Sequence, residues 1–333
     1  MAYQKILVIG GTGFIGRSIV ARLASQNRLV VVATRRRAAT KALWPLPMVE
    51  VVEANIHDSA ELEGLMQGCD AVIHLVGILH GRPGRNADPK QLGDGGDPYG
   101  PDFSKAQVEL PKRIADACMK LGVKRILHMS ALGLGDGDKR ALPSMYLRSK
   151  AAGEQMIKQT LGLQWTIFRP SVVFGPDDKF LNTFARMQAF LPFVPLARAS
   201  ARFQPVYVGD VAEAFVNALD KPETIGHTYD LVGPQVYSLK GLVQMAGRLA
   251  GHERPVFALP DVLGRLQAFA LEMAPGPTLM SRDNFDSMSS NNVSAEGVAP
   301  ELGLQPKSIH EIAPGYLAPV ADRYGEARAR AGR

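Results

Sequence analysis

The sequence predicts an α/β fold, a doubly wound parallel sheet with a smaller C-terminal α/β lobe. Three observations carry that expectation. Short apolar runs alternate with helix-patterned segments from residue 4 to Pro170, which argues for parallel strands joined by right-handed crossover helices. A turn containing Gly10, Gly13 and Gly16 stands between the first apolar run and the first helical one. At 333 residues the chain exceeds the usual single-domain size, which leaves room for an appended lobe.

Taken in order, "QKILVIGGTGFIG" reads as strand and tight turn, and the helix behind it repeats Ile15, Ile19 and Leu23 at helical spacing. Strands follow at "RLVVVAT", "MVEVVEA", "CDAVIHLVG", "VKRILHMS" and "LQWTIFRPS", with helices at "SAELEGLMQG" and "VELPKRIADACMKLG". Between the fourth strand and the next helix, His80 to Asp102 holds six glycines and four prolines and reads as a long loop. It leaves the C-terminal end of a strand, where ligands bind in such sheets, so a lid and a passive insertion are both open. After Pro170 the pattern changes. "FLNTFARMQAFLPFVPLA" is a helix broken by prolines, and "FQPVYVGDVAEAFVNALD" is a strand and helix returning to the sheet. From about residue 226, "HTYDLVG", "SLKGLVQMAGRLAG" and "PVFALP" belong to the smaller lobe. The expected division is 1–177 for the nucleotide-binding domain, 178–202 with 226–333 for the lobe, and 203–225 for the returning unit. For "LPDVLGRLQAFALEMAPGPTLM" a core helix is the default; the alternative is an apolar face that lines a pocket or meets a membrane or partner.

Composition narrows the class. Hydrophobic residues at 46 % and charged residues at 21 % suit a globular protein and exclude a disordered one. The net charge of +6 favours anionic partners, but many arginines sit in two local clusters, "TRRR" at 34–37 and the C-terminal "ADRYGEARARAGR", so nucleic acid is not expected. Cys69 and Cys118 have no metal-type spacing and read as reduced core residues, no histidine pair has metal spacing, and His74 and His128 read as packed core imidazoles. With a first strand from residue 4 and no run near the roughly 18 apolar residues of a spanning helix, a soluble, cytoplasmic protein is expected.

Gly10, Gly13 and Gly16 suit a dinucleotide. Glycine permits the turn's positive φ, lets the backbone approach a pyrophosphate, and lets helix and strand pack closely. After the second strand the chain reads Thr34, Arg35, Arg36, Arg37, with no carboxylate before Glu50 to accept a ribose 2′-hydroxyl, so NADP(H) is favoured over NAD(H). Asp58 either accepts from the adenine amino group or caps the helix "SAELEGLM".

Tyr146 alone among the tyrosines has a lysine four residues on, Lys150, and Pro143 and Ser144 mark the start of the helix that carries both on one face. Ser130 ends "RILHMS" at the same sheet edge. Serine, tyrosine and lysine converging there suit proton transfer to or from a carbonyl or alcohol beside a nicotinamide, with the lysine charge lowering the phenol's pKa.

"GGTGFIG", "MSALG", "YLRSK", "RPSVVFGP" and "VYVGDVAEAF", in that order, resemble the extended or atypical branch of the short-chain dehydrogenase/reductase superfamily, the NAD-dependent epimerase/dehydratase-like Rossmann proteins, over about residues 1–225. "HLVGIL", "YLRSKAAGE", "RPSVVFGPDDKFLNTFA" and "PTLMSRDNFDSM" are similar to NADPH-binding accessory subunits of respiratory complex I and their bacterial relatives. The resemblance implies that Gly10, Thr12, Gly13, Phe14, Ile15 and Gly16 hold the pyrophosphate and that Arg35 and Arg36 hold the 2′-phosphate. It further implies Lys150 on the nicotinamide ribose, with Val76, Pro170, Val172 and Val173 around the cofactor. Two functions follow from it: an oxidoreductase acting on an apolar carbonyl or quinone-related compound, with Ser130, Tyr146 and Lys150 catalytic, or a non-catalytic, NADPH-stabilised accessory protein. The second would serve a respiratory or ubiquinone-biosynthesis complex at the periphery of the inner membrane. Two departures stand out: "VELPKRIADAC" lacks the asparagine that many of these enzymes use there, and sugar-nucleotide substrate signatures are not evident in the C-terminal lobe.

Overall fold

A computed structural model describes residues 3–82, 98–135, 137–275, 278 and 280–319. Most of the loop expected at 80–102, and the arginine-rich C-terminus, lie outside the described residues. The first half runs β1 (Lys5–Ile9), α1 (Phe14–Ser25), β2 (Leu29–Thr34), β3 (Val49–Glu53), α2 (Ser59–Met66) and β4 (Ala71–His74). It continues through α3 (Pro101–Phe103), a π-helical stretch Ser104–Glu109, α4 (Leu110–Leu121), β5 (Arg125–Met129), α5 (Met145–Lys158) and β6 (Gln164–Pro170). The second half comprises β7 (Val173–Phe174), α6 (Leu181–Phe190), β8 (Val194–Leu196), β9 (Arg202–Phe203), β10 (Val206–Tyr207), α7 (Val208–Leu219) and β11 (His227–Leu231). β12 (Tyr237–Ser238), α8 (Leu239–Leu249), β13 (Val256–Ala258), α9 (Asp261–Met273), α10 (Arg282–Ser287), α11 (Ile309–Ile312) and α12 (Pro314–Leu317) complete it.

Seven strands form one parallel sheet in the order β11-β6-β5-β4-β1-β2-β3. The strand order reverses between β1 and β4, and that crevice at the carboxyl ends is where this architecture receives ligands. Alternation along each strand divides the core. Ile6 and Val8 face α1 and α7, whereas Leu7 and Ile9 face α2 and α4. Helices therefore cover both faces, as a parallel sheet requires. Fully buried Arg125 ties α7 to the sheet: its guanidinium donates to the carbonyls of Ala218, Leu219 and Gln164, placing a cation at the helix's C-terminus. A second core, with Phe174, Leu181, Leu196, Leu242, Val243 and Ile309 among its members, belongs to the C-terminal lobe.

Three expectations need correction. "HTYDLVG", assigned to the lobe, supplies β11, the edge strand of the main sheet, paired with β6 over five residues from His227↔Thr166 to Leu231↔Pro170. Tyr229 and Leu231 bury against the sheet core, and that burial decides the strand's place in the main sheet. Because β11 occupies the place beside β6, the strand in "FQPVYVG" does not return to the sheet; β10 pairs with β7 instead, and α7 alone returns to the sheet's face. The helix in "LPDVLGRLQAFALEM" is not a core helix: α9 buries Gly264 and Ala268, half-buries Leu271 and exposes its other large apolar residues.

Candidate functional site

The glycine turn is built as its spacing suggested, with each glycine meeting a different demand. Gly10 has φ of +92°, and its carbonyl accepts from Gly13 N–H at 3.1 Å. At Gly16 a β-carbon would lie 2.2 Å from the Gly10 carbonyl oxygen, so only glycine lets α1 sit against the turn. Gly13 is extended at the N-terminus of α1, and a β-carbon there would meet only the Gly10 oxygen, at 3.3 Å. No side chain caps this end of α1 and its first turn carries no acid, which leaves the helix N-terminus suited to an anion. A β-carbon on Gly10 would lie 3.2 Å from the Val76 nitrogen, so Val76 borders the turn. Phe14 lies within van der Waals reach of Gly175 and Arg17 pairs with Asp177 at 3.0 Å, which brings the chain after β6 alongside. Within that chain, Val172 spends its N–H on Asn292 Oδ1 at 3.1 Å and its carbonyl on Val206 N–H at 3.0 Å.

Arg35 and Arg36 are exposed beyond β2, in a turn fixed by Thr34, whose hydroxyl accepts from the Arg36 N–H at 3.2 Å. Their neighbourhood is more positive than the sequence indicated. His57 titrates below its ordinary value, chiefly through burial and then through the charges of Lys105, Arg113 and Arg35. Its Nδ1 is buried without a hydrogen bond among the described residues, and its carbonyl accepts from Arg113. Asp58 is the N-cap of α2, its Oδ1 accepting from Ala60 and Glu61 N–H at 2.9 and 3.0 Å. That is the capping alternative of the two weighed for it.

α5 begins at Ser144, whose Oγ accepts from Leu147 N–H at 3.1 Å, and it carries Tyr146 and Lys150 one turn apart. Lys150 is buried. Its Nζ donates to the Met129 carbonyl at 3.1 Å and would lie 2.9 Å from a β-carbon on Gly77, so Gly77 makes room for it between the ends of β4 and β5. Burial lowers this ammonium to about 8, with Glu154 opposing the shift. Tyr146 moves the other way: burial, and then the charge of Asp283, push the phenol up to about 12. The expected lowering by Lys150 is therefore overturned. Ser130 is buried at the end of β5; its Oγ makes no hydrogen bond of good geometry, although it lies near enough to Glu154 to help hold that carboxyl low, after Arg169. His74 and His128 are buried as expected and also paired, with Nδ1···Nδ1 at 2.9 Å. Both imidazoles titrate below their ordinary value through burial, so one ring donates and the other accepts.

Three supports were not assigned from the sequence. Gln107, in the π-helical stretch, donates to the Ile78 carbonyl at 2.6 Å and accepts from Ser149 Oγ at 2.7 Å. Its carbonyl approaches Gly153, where a β-carbon would lie 2.2 Å away. Asp283 of α10 accepts from Met145 and Tyr146 N–H at 2.7 and 3.1 Å, so the lobe caps the helix that carries the Tyr–Lys pair. Asn292 holds Ser171 and Val172. A cleft of about 590 Å³ lies beside this region, lined by Leu132–Gly135, Leu142, Arg169, Asp230 and Ser290 among others. Leu134 and Leu142 both line it, and Leu142 and Tyr146 pack against the small apolar cluster that contains Leu134.

The family model described as "NAD dependent epimerase/dehydratase family" matches residues 6–232. The chain is 32 % identical over 243 residues to "NADH dehydrogenase (ubiquinone) 1 alpha subcomplex subunit 9, mitochondrial" of Mus musculus, an alignment spanning 71 % of this chain and 59 % of the mouse protein. It is 29 % identical to the Rattus norvegicus protein of the same name, over 91 % of this chain and 76 % of that one. A "Ceramide reductase" of Caulobacter vibrioides is 25 % identical over 80 % of this chain and 76 % of its own. The NADPH-dependent quinone oxidoreductase of Escherichia coli, solved with NADPH, shares the fold at a TM-score of 0.70 and 16 % identity, covering 94 % and 99 % of the two chains.

Proposed function

Because this chain belongs to the NAD-dependent epimerase/dehydratase family, we propose that it binds NADP(H) in the β1–β4 crevice and reduces an apolar carbonyl or quinone-related compound. The observation that carries this reading is the buried Lys150 ammonium of α5, with Tyr146 one turn before it, held by the Met129 carbonyl at the end of β5 and fitted against Gly77 after β4, the strand beside β1 and its glycine turn. Two features support the cofactor: Gly13 leaves the helix N-terminus open to a pyrophosphate, and Lys105, Arg113 and Arg35 together put positive charge around His57, which would suit a 2′-phosphate. Gly10, Gly13 and Gly16 would cradle the pyrophosphate, Arg35 and Arg36 the 2′-phosphate, and Lys150 the nicotinamide ribose.

When bound, the nicotinamide supplies the hydride. The chain's own groups handle the proton. A phenol pushed up to about 12 stays protonated at neutral pH, so Tyr146 Oη is set to give a proton to a carbonyl oxygen being reduced rather than to take one from an alcohol. Ser130 Oγ, free of a well-formed hydrogen bond among the described residues, orients that oxygen. Single-turnover oxidation of NADPH with apolar carbonyls and quinones tests this, with Tyr146→Phe slowing the step at least about 100-fold. A bound nucleotide that no candidate oxidises, and a Tyr146→Phe protein indistinguishable from wild type, would overturn it.

A second reading is favoured by one observation: the lobe caps α5 through Asp283, so the helix that carries the Tyr–Lys pair is also a structural joint between sheet and lobe. In that reading NADPH stabilises a non-catalytic accessory protein, cytoplasmic and peripheral to the inner membrane, in a respiratory or ubiquinone-biosynthesis complex. The curated mouse and rat relatives support it. Co-purification with respiratory subunits, lost when Gly13 is substituted, is its expected result.

A further inference from the structure

α9 packs with its small residues inward. A β-carbon on Gly264 would lie 2.8 Å from the Phe285 ring and 3.0 Å from Ala197, and Ala268 is fully buried, so this face is pressed against the body. The large residues point away: Val262, Leu263, Leu266, Phe269 and Met273 are between 44 and 79 % exposed. Their spacing of i, i+1, i+4, i+7 and i+11 makes one stripe along the helix. Gln267 ties α9 to the Pro195 carbonyl of β8 at 2.8 Å, and beside that strand Phe193 and Phe257 meet edge to face at 5.9 Å, each about half exposed. Phe190, at the end of α6, is also exposed. An exposed apolar stripe with further exposed aromatics on the neighbouring strands marks a site of interaction.

The charges around the stripe indicate what covers it. Arg265 and Arg282 have side chains 63 and 55 % exposed, while their partners Asp286 and Glu272 are 30 and 28 % exposed, so the cations stand outward and the acids lie beneath them. Arg282 also lies over the Phe269 ring at 5.1 Å. Arg186, one turn before Phe190, is exposed with no partner among the described residues. Asp261, at the start of α9 and paired with Arg198, is an acid that does stand outward. Leucine, phenylalanine and methionine flanked by raised arginines, on a chain of net charge +6, complement hydrocarbon bounded by phosphates.

We propose that this face docks the protein on an anionic lipid bilayer, with α9 lying in the plane of the interface and Arg186, Arg265 and Arg282 at headgroup level. This names the surface and the ligand chemistry behind the membrane-peripheral reading, and it uses no part of the nucleotide site. Flotation of the full-length protein with phosphatidylcholine–phosphatidylglycerol vesicles and with pure phosphatidylcholine vesicles tests it. Wild type should float with the anionic vesicles, less well as salt rises, and Leu266→Asp combined with Phe269→Asp should weaken that at least about tenfold. Arg186→Glu should weaken it partially. Both proteins should keep the same NADPH-induced thermal shift, which separates this result from any failure of the nucleotide reading. Wild type that remains unbound with both vesicles, or a double variant that floats like wild type, overturns the proposal. So does a wild-type dimer that the double substitution splits while vesicles bind neither protein, since the face would then belong to a second copy.

Discussion

Gly16 and Gly13 make separable demands on one turn. A β-carbon at Gly16 runs into the Gly10 carbonyl at 2.2 Å, and backbone cannot step aside, so Gly16→Ala should cost about 2 kcal/mol or more of stability. Gly13 has backbone angles that alanine adopts and only one contact, at 3.3 Å, so Gly13→Ala should cost under about 1 kcal/mol in urea unfolding yet weaken NADPH in titration. Equal losses of stability in the two variants would contradict this division. Lys150 offers the opposite balance. Its ammonium falls from an ordinary 10.5 to about 8 because burial penalises the charge. The unfolded chain therefore binds more protons between those values, and stability rises with pH through that window; below pH 8 the whole cost persists, on the order of 3 kcal/mol. Lys150→Met gives up the bond to the Met129 carbonyl, worth about 1 kcal/mol. It should still stabilise the nucleotide-free protein at pH 7 by about 1–2 kcal/mol, flatten the pH dependence between 8 and 10.5, and abolish NADPH binding. Denaturation curves across pH, with and without NADPH, check all three. An unchanged slope would mean that Lys150 is not the group responsible.

At the scale of elements, the junction of α10 with α5 joins the lobe to the Tyr–Lys helix. Asp283 serves two N–H groups at the start of α5 and also raises the Tyr146 phenol, secondarily to burial. Asp283→Ala should cost about 1–2 kcal/mol as a lost cap and lost dipole partner. The phenol should titrate lower than about 12 but above its ordinary 10, since burial remains; phenolate absorbance, taken as the difference from Tyr146→Phe, reports it. An unmoved titration would show that the Asp283 charge does not reach the ring. This junction was not legible in the sequence, because Met145 and Asp283 are 138 positions apart and nothing local in either segment says that the two meet. Local features were legible: the glycine turn, the Ser144 start of α5, and the alternating strands and helices each depend on neighbours in the chain. β11 was read as a strand but given to the wrong unit, because its partner β6 is distant in the chain and local pattern does not say which sheet Tyr229 and Leu231 bury against. For α9 the periodicity revealed an apolar stripe but not its direction; the clue was that its small residues, Gly264 and Ala268, fall together on the other side.

At the scale of the whole molecule, the nucleotide turn does not stand alone. Phe14 reaches Gly175, and Arg17 pairs with Asp177, so the first turn of α1 touches the segment through which the chain leaves the sheet for the lobe. Anything bound at that turn therefore stabilises the contact between sheet and lobe, as well as the sheet. A ligand bound only by the native state at about 100 times its Kd adds about 2.7 kcal/mol, and NADPH should raise Tm accordingly in one cooperative transition. Arg35→Glu with Arg36→Glu should remove most of the NADPH-induced shift by repelling the 2′-phosphate, while the smaller shift with NADH is retained. Gly13→Ala should reduce both shifts together, because the pyrophosphate is common to the two nucleotides. The pattern across variants identifies the end of the site at fault. If the double arginine variant keeps its full response to NADPH, Lys105 and Arg113, the other cations whose charge reaches His57, carry the 2′-phosphate instead, and the basic turn after β2 is a solvated surface with no part in cofactor choice.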